Sequence, residues 1–445
     1  MRHDRIRQPV LALLTLVCLA LCLHAPTPAL AVGPFFDLRI LHSNDTHSIY
    51  GGYTATGGIC YAPYCEGGKG GFVRLHQAIS ALRRDTPDAL LLDAGDLFQG
   101  SLYWTLHKAA MPNALLRYFD YLAIAPGNHE FDEGCQPFFD LFSDLQTVPL
   151  AANLSFPASA ERAGNMTPWL VTKVRNRQIG IIGLANPDTV ILSSPCAEAR
   201  FANAAAALRR AIAELESKGV DIIIALTHLG LAADMALAAS IDGLDVIVGG
   251  HSHSLLSSSL PEADGAYPLV VRSPYGRRVL VVTAGSHGRL LGRLDLSFDA
   301  AGELVSWNGD VVALDDNSLQ ALDAPAPDPD LAALLESFSV PVRKVLHKPL
   351  GMIIVPGLEQ GPLEGEIRIC RQRECLSGNI VADALRTGFA DAPIVLLNGG
   401  ALRNSLPAGQ VTAGNVLEAL PYNNYCMATR ISGQMLLQML EHGLS

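Results

Sequence analysis

Residues Pro126–Asp132 read PGNHEFD and follow directly on the apolar run Tyr121–Ala125, YLAIA. The run has the composition of a buried strand, and the turn behind it sets an amide oxygen, an imidazole and carboxylates side by side. Asn128 offers a neutral oxygen to a hard or borderline cation, and His129 beside it can act as an acid toward a leaving group. Asp132, three residues on, would hold that imidazole protonated. A capped turn with a solvated histidine has the same appearance. What decides between the two is the residues that end the other apolar runs.

Leu38–Leu41 runs into HSNDTHS, which carries Asp45 and His47. Ala89–Leu92 runs into DAGDLFQGS with Asp96, Ile222–Leu226 into THLG with His228, and Val246–Val248 into GGHSH with His251 and His253. Short β-rich runs alternate with stretches of helical pattern, Phe72–Arg83 and the Ala-rich Asn203–Lys218 among them. That alternation indicates an α/β or α+β layered domain, and sheet folds of this kind gather ligands at strand ends. Ile179–Leu184 reads as a core strand with no ligand at its end. Val279–Thr283 and Leu291–Phe298 read as late strands flanking AGSHGR, with His287 as a structural loop residue.

Together the ligand-type residues are Asp45, His47, Asp96, Asn128, His228, His251 and His253. They are too many for one tetrahedral ion and suit two divalent ions that share a bridging carboxylate. Mixed nitrogen and oxygen donors favour Zn, Mn, Co or Fe over Ca, which takes oxygen alone. Two such ions, about 3.5–4 Å apart, stabilise the charge that develops during an in-line displacement at phosphorus.

The chain has 445 residues, 49% of them hydrophobic and 17% charged, a globular composition with room for two or three domains. Arg2, Arg5 and Arg7 precede the apolar run Val10–Leu23, and Ala29–Ala31 offers small residues for cleavage, so residues 1–31 read as an export signal. The run is shorter than the roughly 20 residues that span a bilayer. Removing the leader moves the formal net charge from −11 to −13, which excludes a nucleic-acid backbone binder. An anionic ligand would need locally bound cations. Of nine cysteines, Cys18 and Cys22 fall in the leader. Cys60/Cys65 and Cys370/Cys375 read as tight disulfide loops, with a zinc–thiolate site as the alternative, and Cys135 with Cys196 as a third bridge. Cys426 is left over.

Pro and Asp crowd together in DAPAPDPD at Asp323–Asp330, the expected domain break, and a connector helix over Pro329–Leu346 follows. NDTH, GD, GNHEFD, a histidine after a strand and GHSH, in this order, resemble the calcineurin-like metallophosphoesterases. NGGALR and a tyrosine after Leu-Pro in the second unit are similar to the C-terminal domain of the 5'-nucleotidase family. The resemblance implies a four-layer β-sandwich flanked by helices over 32–325, a linker helix at 326–346 and an α/β substrate-binding domain over 347–445.

By that resemblance Asp45, His47, Asp96 and His253 would hold one metal and Asp96, Asn128, His228 and His251 the other, with His129 and Asp132 as the catalytic dyad. His253 stands where some members carry Gln or Asn, which leaves the metal preference open among Zn, Mn and Co. Arg371, Asn398, Gly399, Gly400, Arg403 and Tyr422 match positions that contact a nucleotide. The implied activity is a secreted or periplasmic phosphohydrolase of nucleoside 5'-monophosphates, with UDP-sugars or nucleoside polyphosphates as further substrates. A 2',3'-cyclic nucleotide phosphodiesterase would use the same metals, and a noncatalytic nucleotide- or metal-binding protein is the reading from another class. Mere binding, however, needs no His129 beside Asp132. Against the family pattern the second domain also reads as incomplete at Ser445, lacking one of two rings that stack on the base.

Overall fold

The computed structural model describes residues 35–157, 166–354, 370, 374–389, 391–402, 406–420 and 426–444. The leader, Arg371, Arg403 and Tyr422 lie outside the described residues.

Two six-stranded sheets build the first unit. In one, β1 (Phe36–Ser43), β2 (Leu90–Asp93), β3 (Ala123–Ile124) and β4 (Val148–Pro149) run parallel. The other holds β5 (Trp169–Val174), β6 (Arg177–Leu184), β7 (Ile222–Thr227), β8 (Val246–Gly249), β9 (Leu269–Arg272) and β10 (Arg278–Val282). Its central strands β6, β7, β8 and β10 are parallel, with β5 and β9 antiparallel at the edges. The chain then returns to the first sheet through β11 (Leu290–Phe298), which sets Leu294 opposite Ile40 of β1, and β12 (Leu304–Ala313).

The strands read as unbroken apolar runs because both faces of each sheet are covered. Ile222, Ile224 and Leu226 of β7 share a core with Ile40, Leu90 and Leu92 of the facing sheet. Their neighbours Ile223 and Ala225 pack under the helices Ala204–Ser217 and Leu231–Ser240. On the far side of the first sheet, Leu41 and Leu91 meet Phe72, Leu75 and Ile79 of the helix Phe72–Arg84. The result is four layers, helix–sheet–sheet–helix. Helix Pro329–Leu346 begins where proline suits a first turn, with Asp328 Oδ1 accepting from the amides of Asp330 and Leu331 at 2.9 Å each. It buries Leu331, Leu335 and Val342 in the outer core of the first unit.

Within the second unit, Pro349–Ile354 pairs antiparallel with Gly409–Thr412 over a small core of Leu406, Val411 and Ala419. Disulfides join Cys60 to Cys65, Cys135 to Cys196 and Cys370 to Cys375, and Cys426 is an exposed thiol.

The chain leaving β4 runs close against β6. Gly183 accepts a hydrogen bond from the Ala152 amide at 2.8 Å, and a Cβ on Gly183 would stand 1.9 Å from the Leu150 carbonyl oxygen. Backbone cannot yield as a side-chain tip does. Gly183→Ala is therefore expected to destabilise the fold by about 1–3 kcal/mol or more, read as a lowered urea midpoint at unchanged slope.

Candidate metal centre

The parallel strands deliver their C-terminal ends to one rim, where the loops after β1 and β2 are laced together. Asp45 N–H donates to Gly95 O at 2.8 Å, His47 N–H to Asp96 O at 2.9 Å and Ser48 N–H to Leu97 O at 2.9 Å. The loop after β3 is fastened to the same place, since His129 N–H donates to Asp96 Oδ1 at 2.9 Å. Gly127 is required there: a Cβ on it would fall 2.0 Å from Asp96 Oδ1. Asp45, His47, Asp96, His251 and His253 all take positive φ, between 49° and 79°, a conformation that aims side chains inward at a cost in strain.

Three groups of possible metal donors result, Asp45–His47–His253, His47–Asp96–His129 and Asp96–His228–His251, each with donor atoms within 4.8 Å of one another. Asn128 joins the last through its Oδ1, 2.9 Å from His251 Nδ1. The structure thus brings together all seven ligand candidates and places His129 at their edge.

The orientation of the imidazoles suits cations. His228 Nδ1 lies 2.6 Å from Ala94 O and His47 Nδ1 lies 3.2 Å from Gln99 O, so each ring donates its Nδ1 proton outward and turns Nε2 to the cluster. His228 Nε2 is buried, 3.1 Å from Asp96 Oδ2 but without hydrogen-bond geometry. His47 Nε2 and His253 Nε2 face each other at 2.9 Å. Two imidazole nitrogens converging in that way, beside a buried carboxylate, fit a divalent ion.

Charge in the cluster is tightly coupled. Burial, with Asp96 nearby, pushes the Asp45 carboxyl up to about 7. Burial would raise Asp96 too, but His228 and His129 hold it well below the usual carboxylate range. Burial would lower His228, yet the Asp96 carboxylate lifts it to about 10. His47 is pushed well below its ordinary value by burial and His253, and His251 falls to about 4 through burial and His228. A divalent cation would favour the neutral His228 imidazole beside an ionised Asp96.

At the edge, His129 Nδ1 lies 2.6 Å from Asp132 Oδ2, and Gln99 Nε2 donates to the same oxygen at 3.3 Å. His287 is on a loop, as its sequence suggests, yet its ring packs 5.6 Å from that of His47 and 5.5 Å from that of His253. On the second unit, Asn398 leads into the short turn Gly399–Ala401, which holds Gly399 and Gly400. Cys375 is bridged to Cys370, while the loop residue Arg371 is outside the described residues.

Sequence reasoning missed two supports. Asn44 donates to Asp45 Oδ2 at 2.8 Å and to Gly285 O at 2.6 Å, and so aims the Asp45 carboxylate. Glu130, inside the motif itself, accepts from the amides of Gly127 at 2.7 Å, Asp96 at 3.0 Å, Leu97 at 2.8 Å and Phe98 at 3.2 Å. No spacing signal distinguishes such a residue from a solvated one. Glu130→Ala would strand these buried donors, each worth about 1–3 kcal/mol. We expect it to lower stability by more than ~3 kcal/mol and to lose bound metal, measured by urea unfolding and elemental analysis.

Residues 38–255 match the family model of the calcineurin-like phosphoesterases, and residues 354–445 match that of the 5'-nucleotidase C-terminal domain. Human 5'-nucleotidase is 31% identical over 429 residues, covering 92% of this chain and 72% of that protein. The snake venom 5'-nucleotidase of Naja atra is 30% identical, covering 92% and 78%. Among solved structures, the 5'-nucleotidase precursor of Thermus thermophilus superposes with a TM-score of 0.79 at 33% identity, over 92% of this chain and 78% of that one. The NAD nucleotidase of Haemophilus influenzae gives 0.61 at 25% identity, over 70% and 68%.

Proposed function

We propose that this chain, which belongs to the 5'-nucleotidase family, removes the phosphate from nucleoside 5'-monophosphates. It is a metal-dependent phosphoester hydrolase, and the observation that carries the finer reading is the His129–Asp132 pair, 2.6 Å apart, beside a two-part histidine–carboxylate cluster. Asp45, His47, Asp96 and His253 would hold one divalent ion, and Asp96, Asn128, His228 and His251 a second, with Asp96 shared. Zn, Mn and Co suit these donors. Such ions supply Lewis acidity, neutralising phosphoryl charge and lowering the pKa of an attacking water.

The chain's own residues do the rest. With Nδ1 held by Asp132, His129 turns Nε2 toward the substrate side and delivers a proton to the departing 5'-oxygen, while Asp132 stabilises the imidazolium. The amide of His129, bonded to Asp96 Oδ1, fixes the acid relative to the shared carboxylate. On the second unit, Asn398, Gly399 and Gly400, together with Arg371, Arg403 and Tyr422, would recognise the nucleotide. The likeness to an NAD nucleotidase favours pyrophosphate-linked nucleotides, including UDP-sugars, as a further substrate class.

In this reading residues 1–31 direct export. No described helix is long and apolar enough to cross a membrane.

His129→Ala is expected to retain both ions and to lose turnover of AMP by about 10²–10⁴. Elemental analysis beside kcat separates the roles, since loss of an ion in that variant would make His129 a ligand.

A further inference from the structure

The dyad has a third neighbour that neither the motif nor the comparisons assign. Ser193 Oγ donates to Asp132 Oδ1 at 2.7 Å, on the carboxylate oxygen opposite the one that meets His129 Nδ1. Ser193 arrives from 61 positions downstream, at the end of the single-turn helix Thr189–Leu192, where its amide donates to Thr189 O at 3.0 Å. Within that helix Thr189 is buried, while Val190, Ile191 and Leu192 are exposed, Ile191 at 78%, so packing holds it at its first residue. Its far end carries a covalent tie: Cys196, three residues past Ser193, is bridged to Cys135, three residues past Asp132. The Cys196 amide also lies 3.1 Å from Cys135 Sγ. The two strands of chain that carry Ser193 and Asp132 are thereby pinned at matching offsets.

We propose that Ser193 is a positioning residue for the proton-donating dyad, and that the Cys135–Cys196 disulfide keeps it in place. This rests on the dyad reading above. A carboxylate gripped through one oxygen alone can swing about its Cβ–Cγ bond, and the imidazole it orients swings with it. Ser193, holding the second oxygen, closes that freedom, so the proton on Nε2 points where the ester oxygen departs. The chemistry itself is unchanged: the P–O bond breaks, water supplies the new oxygen, and the proton goes from His129 to the leaving oxygen.

The test uses leaving groups. A nucleoside 5'-oxygen needs a proton as it departs, whereas the phenolate of p-nitrophenyl phosphate does not. Ser193→Ala should lower kcat for AMP by about tenfold to a hundredfold with KM little changed, and lower kcat for p-nitrophenyl phosphate by no more than about threefold, at unchanged metal content. Ser193→Thr, which keeps the hydroxyl, should recover most of the AMP rate. The paired Cys135→Ser/Cys196→Ser variant should show the same selective loss on AMP. A merely structural serine would lower both substrates together or neither, and either result overturns the proposal. So does a cysteine variant that keeps the wild-type ratio, for the disulfide's part. His129→Ala, run alongside, separates the failures: if it is selective for AMP and Ser193→Ala is not, only this inference falls; if His129→Ala is not selective, the dyad reading falls with it.

Discussion

Everything at the rim depends on one buried carboxylate, Asp96. One of its oxygens accepts from the His129 amide at 2.9 Å and the other faces His228 Nε2 at 3.1 Å, with His47 Nε2 at 3.8 Å. To hold that position the backbone at Asp96 turns to a φ of 57°, and Asp45, His47, His251 and His253 also take positive φ. Each such residue costs about 1–3 kcal/mol. The strain is offset by the lacing of the loops and by Glu130, whose carboxylate gathers four amides of the Asp96 and Gly127 loops. Two sheets packed face to face make this possible, since they fix the ends of strands that come from distant parts of the sequence.

Electrostatics gives the rim its chemical character. Asp45 and Glu130 are pushed up to about 7, chiefly by burial, and His251 down to about 4. A buried set of this kind resists ionising in every direction at once, except where Asp96 and His228 satisfy each other. Divalent cations relieve the conflict, because they favour ionised carboxylates and neutral imidazoles together. In a chain of formal net charge −11 they also supply the positive potential that an anionic substrate requires.

Much of this was legible in the sequence, for a physical reason. Parallel strands covered on both faces must be apolar throughout, so Asp45, Asp96, Asn128, His228 and His251 stand out as polar residues at abrupt ends of apolar runs. The helix Pro329–Leu346 was legible because Asp328 and Pro329 mark its start. Asn44, Glu130 and Ser193 were not legible as supports, because their work is hydrogen bonding to groups far away in the chain or to backbone, and no residue spacing encodes that. The run Tyr121–Ala125 is strand only over Ala123–Ile124, with Tyr121 and Ala125 buried beside it and Leu122 partly buried.

The central claim is that the rim holds two cations with Asp96 between them, and anomalous X-ray scattering from crystals of the Mn- or Zn-loaded protein tests it most directly. The account predicts two peaks about 3.5–4 Å apart, one among Asp45, His47 and His253 and the other among Asn128, His228 and His251. A single peak, or peaks away from Asp96, would contradict it.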